Sequence, residues 1–162
     1  MRLALLIFRE NEGMEIRRYT DDDSSIISEL FFETVHCVNA KDYTKPQHFA
    51  WAQYPEILRD RSDDFKKQYT LVATVNGKIV GFGSIDESGC LDMLFVRQDC
   101  LRQGIATALC DQLEKGFSSV KTYASITAKP FFEQRGYLVT EKRTVVRNGV
   151  QLINFEMKKS LS

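Results

Sequence analysis

The feature that most constrains the fold is the run over residues 91–109. An apolar segment, 91–96, ends in a charged loop, and the loop ends at Gly104, after which apolar residues recur with helical spacing. We interpret the run as a strand, a turn and a helix N-terminus. Such an N-terminus carries backbone N–H groups without intrahelical partners and a partial positive charge, so it suits a phosphate. Arg97 and Arg102 would add donors. The alternative is a glycine that only eases a tight turn.

The segment before this run predicts an antiparallel meander. Two β-rich runs, 69–75 and 78–85, are joined by Asn76-Gly77, and this dipeptide between such runs is the strongest short signal for a hairpin. A third run, 90–96, extends the pair. A second hairpin is predicted near the end of the chain, again with Asn-Gly at its turn.

After Gly104 the pattern predicts a helix that ends near Gly116 and a strand over 121–126. A strand, a crossover helix and a second strand in one sheet place the two strands parallel. The helix then starts at the carboxyl end of the first strand, where open α/β sheets bind ligands.

The N-terminal half predicts a strand over 15–19 and an amphipathic helix over 22–39, followed by a looser segment, 40–68, with a helix over 56–67. Aromatic residues of the looser segment either form walls of an acceptor pocket or fill the core; they are Tyr43, Phe49, Trp51 and Tyr54. Residues 1–13 are expected to be an extension, because the strand pattern starts cleanly at Met14, and the domain is expected to cover 14–159.

Composition excludes several classes of protein. The 22 basic and 22 acidic residues balance and are interspersed, so the sequence predicts no broad electrostatic field for nucleic acid or for a membrane surface. The four cysteines have no C-x-x-C spacing, so neither a metal site nor a disulfide framework is expected, and a reducing cytoplasm is the expected location. Cys37 and Cys110 fall in apolar helical patterns and are expected in the core.

Two motifs resemble those of the GNAT superfamily of N-acetyltransferases. Val96-Arg97-Gln98-Asp99, followed by Leu101-Arg102-Gln103-Gly104-Ile105-Ala106, resembles its acyl-CoA-binding signature, in which Leu101 stands where the family has Gln or Arg. The segment 128–137 resembles its last short helix. The resemblance implies a single α/β (α+β) domain with a mixed, mostly antiparallel, twisted sheet and helices on both faces. It also implies acetyl transfer from acetyl-CoA, as co-substrate, to an amine acceptor in a ternary complex.

The resemblance also implies where acetyl-CoA binds. Backbone groups of the strand before the turn would hold the oxyanion and the pantetheine arm, and amides of the turn would hold the pyrophosphate. The strand residues are Leu94, Phe95 and Val96, and the turn residues are Arg102, Gln103, Gly104, Ile105, Ala106 and Thr107. Phe132 occupies the position at which many members carry a Tyr near the CoA sulfur.

Without that Tyr, the CoA thiolate either leaves unassisted, since thiols are moderately acidic, or takes a proton from another group such as Tyr123. The base candidates are Asp92, on the strand before the turn, and His36, on the helix expected to border the acceptor together with Glu33. His36 could instead favour the helix dipole, and water could remove the proton from the amine. Trp51 is a candidate contact for the acceptor.

Two function hypotheses remain open from the sequence. The first is an acetyl-CoA-dependent N-acetyltransferase whose acceptor is a small molecule or a protein amine. The second is a non-catalytic acyl-CoA sensor or interaction module that keeps the fold, which the missing Tyr makes worth testing. Exposed edges of the last hairpin could pair between subunits, so a homodimer also remains open.

Overall fold

A computed structural model describes residues 13–162, and seven strands form one mixed sheet at its centre. The strands are β1 (Met14–Arg18), β2 (Tyr69–Val75), β3 (Lys78–Ile85), β4 (Cys90–Val96), β5 (Ser119–Ser125), β6 (Leu138–Arg147) and β7 (Val150–Ser160). Their spatial order is β1-β2-β3-β4-β5-β7-β6. Every neighbouring pair is antiparallel except β4 and β5, which are parallel. The predicted meander, both hairpins and the parallel crossover are therefore confirmed.

Helices cover both faces of this sheet. They are α1 (Ser24–Cys37), α2 (Lys45–Trp51), α3 (Ser62–Lys67), α4 (Ile105–Leu113) and α5 (Lys129–Gln134). One apolar core lies between the sheet and α1 to α3, with Phe31, Phe65 and Phe82 among its members. The other lies between the sheet and α4 with α5, around Leu109 and Phe132. The predicted α/β fold class is confirmed.

Two predicted helices differ from the observed ones. The helix predicted over 22–39 is α1, preceded by a 3₁₀ turn, Asp21–Asp23, and followed by another, Asn39–Lys41. The helix predicted over 56–67 is a 3₁₀ turn, Ile57–Arg61, followed by α3. The start of this second segment is fixed by a tertiary contact that the local pattern does not contain. The Leu58 N–H, which has no intrahelical partner in a first turn, donates to the Ser28 hydroxyl of α1 (2.9 Å).

Of the two cysteines expected in the core, one is buried and the other is exposed. Cys110 on α4 is fully buried, and burial raises the pKa of its thiol to about 12. Cys37 is exposed, so that expectation was wrong: it is the last residue of α1 and its side chain faces solvent.

The expected N-terminal extension falls outside the described residues, apart from Gly13. The Gly13 carbonyl accepts a hydrogen bond from the Asn76 N–H (3.2 Å), so contact with the β2–β3 turn begins one residue before β1. Within residues 13–162, no helix has the length and apolar character needed to cross a bilayer.

A buried ion pair joins the two helices of the second core. Glu114 follows α4 and its side chain is 5% exposed; its Oε2 accepts a hydrogen bond from Arg135 Nε at 2.6 Å. We expect Arg135→Ala to lower the free energy of unfolding by about 3 kcal/mol, since it leaves a buried carboxylate with only Lys159, 4.0 Å away. Urea denaturation would measure this.

The matched control is Lys129→Ala on the same helix. It removes a more exposed pair, Lys129–Glu133 (2.9 Å), and should cost less than about 1 kcal/mol. Equal losses in the two variants would contradict the assignment of Glu114 to a buried pair.

Candidate active site

A cleft opens where the two parallel strands separate. β4 and β5 are paired only at Cys90–Lys121 and Leu91–Thr122, although both strands continue beyond those residues. Asp92 is an extra residue in the β3–β4 ladder, in which Leu91 opposes Ile85 and Met93 opposes Ser84. Such a bulge bends its strand and ends regular pairing. The resulting cleft has a volume of about 1120 Å³.

One end of the cleft is the start of α4. Gly104 has a left-handed backbone (φ 81°) and so has Arg102 (φ 61°), a conformation that costs free energy in a non-glycine residue. The helix begins without a side-chain cap, and its first internal bond runs from the Ala108 N–H to the Gly104 carbonyl (3.0 Å). The N–H groups of residues 105–107 therefore lack intrahelical partners. A Cβ built on Gly104 would meet no atom of the described chain within 4 Å, so the space before these donors is open.

The backbone of β4 supplies further free polar groups. The Arg97 N–H donates to the Val80 carbonyl on β3 (2.8 Å). Since backbone groups alternate in direction along a strand, Phe95 also faces β3, whereas Leu94 and Val96 face the cleft. The Val96 carbonyl accepts a hydrogen bond from the Thr34 hydroxyl (3.4 Å). All three strand residues expected to bind the cofactor through the backbone line the cleft, and the backbone groups of Leu94 and Val96, but not those of Phe95, face it.

Most of the expected turn residues also border the cleft. Arg102, Gly104, Ile105, Ala106 and Thr107 line it, whereas Gln103 is exposed and does not. Arg97 does not line the cleft either, because its guanidinium pairs with Asp99 (2.8 Å). Phe132 also lines the cleft, on the same face of the sheet as α4, and is 2% exposed, with its ring against Phe131 and Tyr137.

Asp92 and Tyr123 both lie on the cleft. Oδ2 of Asp92 accepts hydrogen bonds from Arg61 Nη2 (2.8 Å) and Gln68 Nε2 (3.3 Å), so both of its bonds within residues 13–162 use the same oxygen. Tyr123 is 39% exposed, and the Arg143 guanidinium stacks on its ring at 4.3 Å.

The four aromatic residues of the looser segment, 40–68, lie in two different places. Trp51 and Tyr43 line the cleft, whereas Phe49 and Tyr54 are exposed on the outside. The Tyr43 hydroxyl donates to the Ile153 carbonyl (2.8 Å) and accepts from the Ile126 N–H (2.9 Å), and burial raises its pKa. Tyr43 therefore ties the α1–α2 connection to β7 and to the end of β5.

Glu33 and His36 do not line the cleft. Glu33 is exposed. His36 Nε2 lies 2.7 Å from the Ala52 carbonyl, so it donates there, and its Nδ1 lies 2.6 Å from Nδ1 of His48. Both ring nitrogens are thus used in joining α1 to α2. The helix expected to border the acceptor does line the cleft, through Phe31 and Thr34, but Glu33 and His36 do not face it. Helical periodicity does not reveal which neighbour covers a polar side chain.

The His36–His48 contact should make stability depend on pH. Burial and the nearby His36 and Lys45 hold the pKa of His48 below its usual 6.5. The unfolded chain then binds the proton more readily, so the folded state loses stability as pH falls below about 6.5. We expect wild type to lose more stability than His48→Gln between pH 7.5 and 5.5, as measured by urea unfolding. Parallel losses would contradict this.

Several cleft residues were missed in the sequence. Arg143 and Arg147 come from β6, Asn154 from β7, and Thr34 and Asn39 from α1 and the turn after it. The two-residue alternation of Arg143, Val145 and Arg147 does mark one face of a strand. It contains no information about which other element that face meets.

A mixed sheet whose two parallel strands part beside an uncapped helix start provides a cleft suited to a ligand with phosphate groups. Comparison with known proteins identifies the class: residues 37–159 match the family model described as Acetyltransferase (GNAT) domain. The chain belongs to the GNAT family of acetyltransferases. The predicted enzyme class, an acetyl-CoA-dependent N-acetyltransferase, is thereby confirmed.

Individual relatives cover nearly the whole chain. The protein named uncharacterized N-acetyltransferase YafP, from Escherichia coli K12, is 35% identical over 146 residues, 90% of this chain and 95% of its own. A crystal structure titled GCN5-related N-acetyltransferase, from Rhodopseudomonas palustris, is 34% identical with a TM-score of 0.82, over 91% of this chain and 95% of that one. PaiA N-acetyltransferase from Thermoplasma acidophilum, solved in complex with coenzyme A, shares the fold at 19% identity (TM-score 0.70; 91% and 98% covered).

Proposed function

We propose that this chain moves the acetyl group of acetyl-CoA to a primary amine, which attacks the thioester directly in a ternary complex. The observation that carries the proposal is the parting of β4 and β5 beside the uncapped start of α4. It leaves backbone donors for a phosphate and for a carbonyl oxygen in one continuous cleft. Family membership favours the enzyme over the binding-only module.

The cofactor is proposed to lie along β4, with its pyrophosphate at the start of α4. The N–H groups of Ile105, Ala106 and Thr107 would donate to pyrophosphate oxygens, with Arg102 beside them. A bound coenzyme A in the PaiA complex, which shares the fold, supports the choice of ligand. The pantetheine arm would pair with the Leu94 carbonyl and the Val96 N–H.

The backbone of β4 would also stabilise the reaction's developing charge. The amine nitrogen forms a bond to the thioester carbon, and the carbonyl oxygen becomes an oxyanion. The carbonyl of Val96 is already bonded to Thr34. The N–H of Leu94, the cleft-facing residue nearer the bulge, is the proposed donor to that oxyanion. Collapse of the intermediate breaks the C–S bond and releases the CoA thiolate.

Proton delivery to the thiolate is proposed to need no side chain. Phe132 has no hydroxyl, and Tyr123 lies on the other face of the sheet, because β5 residues Val120 and Ala124 point into the core that contains Phe132. A thiol with a pKa of about 8.5 leaves as a thiolate more readily than an alcohol leaves as an alkoxide.

Asp92 is the proposed base. It is the only carboxylate among the described residues that line the cleft. One of its oxygens holds Arg61 and Gln68, and the other is available to an ammonium group or to a water that relays the proton.

Thermal unfolding tests the choice of cofactor. At 100 times its dissociation constant, acetyl-CoA should stabilise the fold by about 2.7 kcal/mol, a shift of roughly 5–10 °C for a chain of this size. NAD and ATP are the controls and should shift the midpoint far less. An equal response to all three would refute the assignment.

Gly104→Val tests the position of the pyrophosphate. The branched side chain would occupy the open space before the helix start and should reduce acetyl-CoA affinity at least about a hundredfold, as measured by titration calorimetry. The matched control is Gly116→Val beyond the other end of α4. Gly116 also has a left-handed backbone (φ 87°) with free space around a built Cβ, so both variants carry similar strain. Unchanged affinity in Gly104→Val would remove this turn from the site.

Asp92→Asn tests the base. It should lower kcat at neutral pH by about a hundredfold, and the loss should shrink as pH rises and more amine is already deprotonated. Asp64→Asn is the control, because Asp64 also pairs with Arg61 (3.4 Å) but lies outside the cleft. Full activity of Asp92→Asn across the pH range would exclude a side-chain base at this position.

A cytoplasmic location and a homodimer stay predictions. β6 is at the edge of the sheet, and its Leu138 and Val146 are exposed, which suits pairing with a second copy.

A further inference from the structure

The cleft is reached from two faces of the sheet that differ in chemistry. On β5, Val120 and Ala124 point into the core beneath α4 and α5, so Tyr123 and Ser125 point to the other face. The hydrogen bond from Asn39 Nδ2 to Ser125 Oγ (3.4 Å) confirms that this second face is the one beneath α1. The start of α4 thus enters the cleft from one face and the α1–α2 connection from the other.

Basic side chains gather on the face beneath α1 and α2. Asn154 is directly opposite Ser125 on β7, and Arg143 is directly opposite Asn154 on β6, so all three point the same way. The stacking of Arg143 on Tyr123 agrees with this direction. Arg147 follows Arg143 by four residues and also lines the cleft, as does Lys41 from the turn after α1.

These charges are not balanced locally. The cleft is lined by five basic residues and one acidic residue within the described part of the chain, although the chain as a whole has no net charge. Asp92, the acidic one, is paired with Arg61, and Arg102 is at the start of α4. Lys41, Arg143 and Arg147 remain, and over residues 13–162 none of them forms an ion pair with a carboxylate.

The α2 helix and the hairpin tip hold this region in place. Asn148 Nδ2 donates to the Ala50 carbonyl (2.8 Å), and Gln47 Nε2 donates to the Gln151 carbonyl (2.9 Å). Beside Arg143, the Asn154 side-chain oxygen is buried and accepts no hydrogen bond from the described residues. A buried acceptor of this kind is suited to an N–H donor on a ligand.

We propose that the acceptor is a small amine that also carries an anionic group, which Arg143 and Arg147 bind with help from Lys41. An arginine fork matches a carboxylate or a phosphate. Asn154 would accept a hydrogen bond from the substrate's N–H. The inference rests on the acetyl transfer proposed above and specifies its acceptor.

The test compares each anionic amine with neutral analogues that share its skeleton. Free thiol release from acetyl-CoA is measured with phenylalanine, phenylalaninamide and phenethylamine, and, for a phosphate, with phosphoethanolamine against ethanolamine. The anionic member of a set should have a kcat/KM at least about tenfold above its neutral partners. A preference within the first set identifies a carboxylate, and a preference within the second identifies a phosphate.

Arg143→Gln and Arg147→Gln should each raise the KM of the anionic amines and so remove most of that preference. The kcat/KM for the neutral amines and the affinity for acetyl-CoA should stay unchanged. Lys142→Gln is the control, because Lys142 is adjacent on β6 but does not line the cleft, and it should behave as wild type. Equal use of anionic and neutral amines would overturn the inference and leave acetyl transfer intact. A matching loss of acetyl-CoA affinity in the arginine variants would also overturn it, since the arginines would then bind the cofactor.

Absence of thiol release with every amine would instead count against the proposed function. In that case the inference about the acceptor is tested by adding N-acetylated compounds to the complex of the protein with coenzyme A and measuring its unfolding temperature. N-acetylphenylalanine should raise its unfolding temperature, N-acetylphenylalaninamide should not, and Arg143→Gln should abolish the difference. Equal shifts, or none, would overturn the inference.

Discussion

The structure depends on the early end of pairing between its two parallel strands. β4 and β5 share two residue pairs and then separate at the bulge that Asp92 introduces. A central strand with one unpaired edge would normally be unfavourable, because its N–H and C=O groups need partners. Here the unpaired edge faces the cleft. Within residues 13–162, the Val96 carbonyl is the one group on this edge with a partner from another element, the Thr34 hydroxyl. A ligand that bonds to Leu94 and Val96 would complete the sheet.

That separation also explains why one cleft has two kinds of wall. On the face of α4 and α5 the wall is apolar around the buried Phe132, and the helix start offers neutral backbone donors. On the face of α1 and α2 the wall carries arginine and lysine side chains without matching carboxylates in the described chain. A long cofactor and a small polar acceptor can therefore meet at β4 from opposite directions. This arrangement fits direct attack without a covalent enzyme intermediate.

Features set by local interactions could be predicted from the sequence. The hairpins at Asn76-Gly77 and Asn148-Gly149 were predicted because their turns need left-handed residues, which both pairs supply. The start of α4 followed from Gly104 and the apolar spacing after it. Features set by tertiary contacts could not be predicted. The helix pattern around His36 does not show that His48 and Ala52 occupy its ring, and the alternation in β6 does not show that Arg143 stacks on Tyr123.

The most direct measurement is a crystal structure of this protein with coenzyme A. We expect pyrophosphate oxygens about 2.7–3.2 Å from the N–H groups of Ile105, Ala106 and Thr107, with the pantetheine arm bonded to Leu94 and Val96. We also expect the thiol to end near Asp92, and Arg143 and Arg147 to make no contact with the cofactor. A pyrophosphate bound instead by Arg143 and Arg147, with the start of α4 left free, would contradict these expectations.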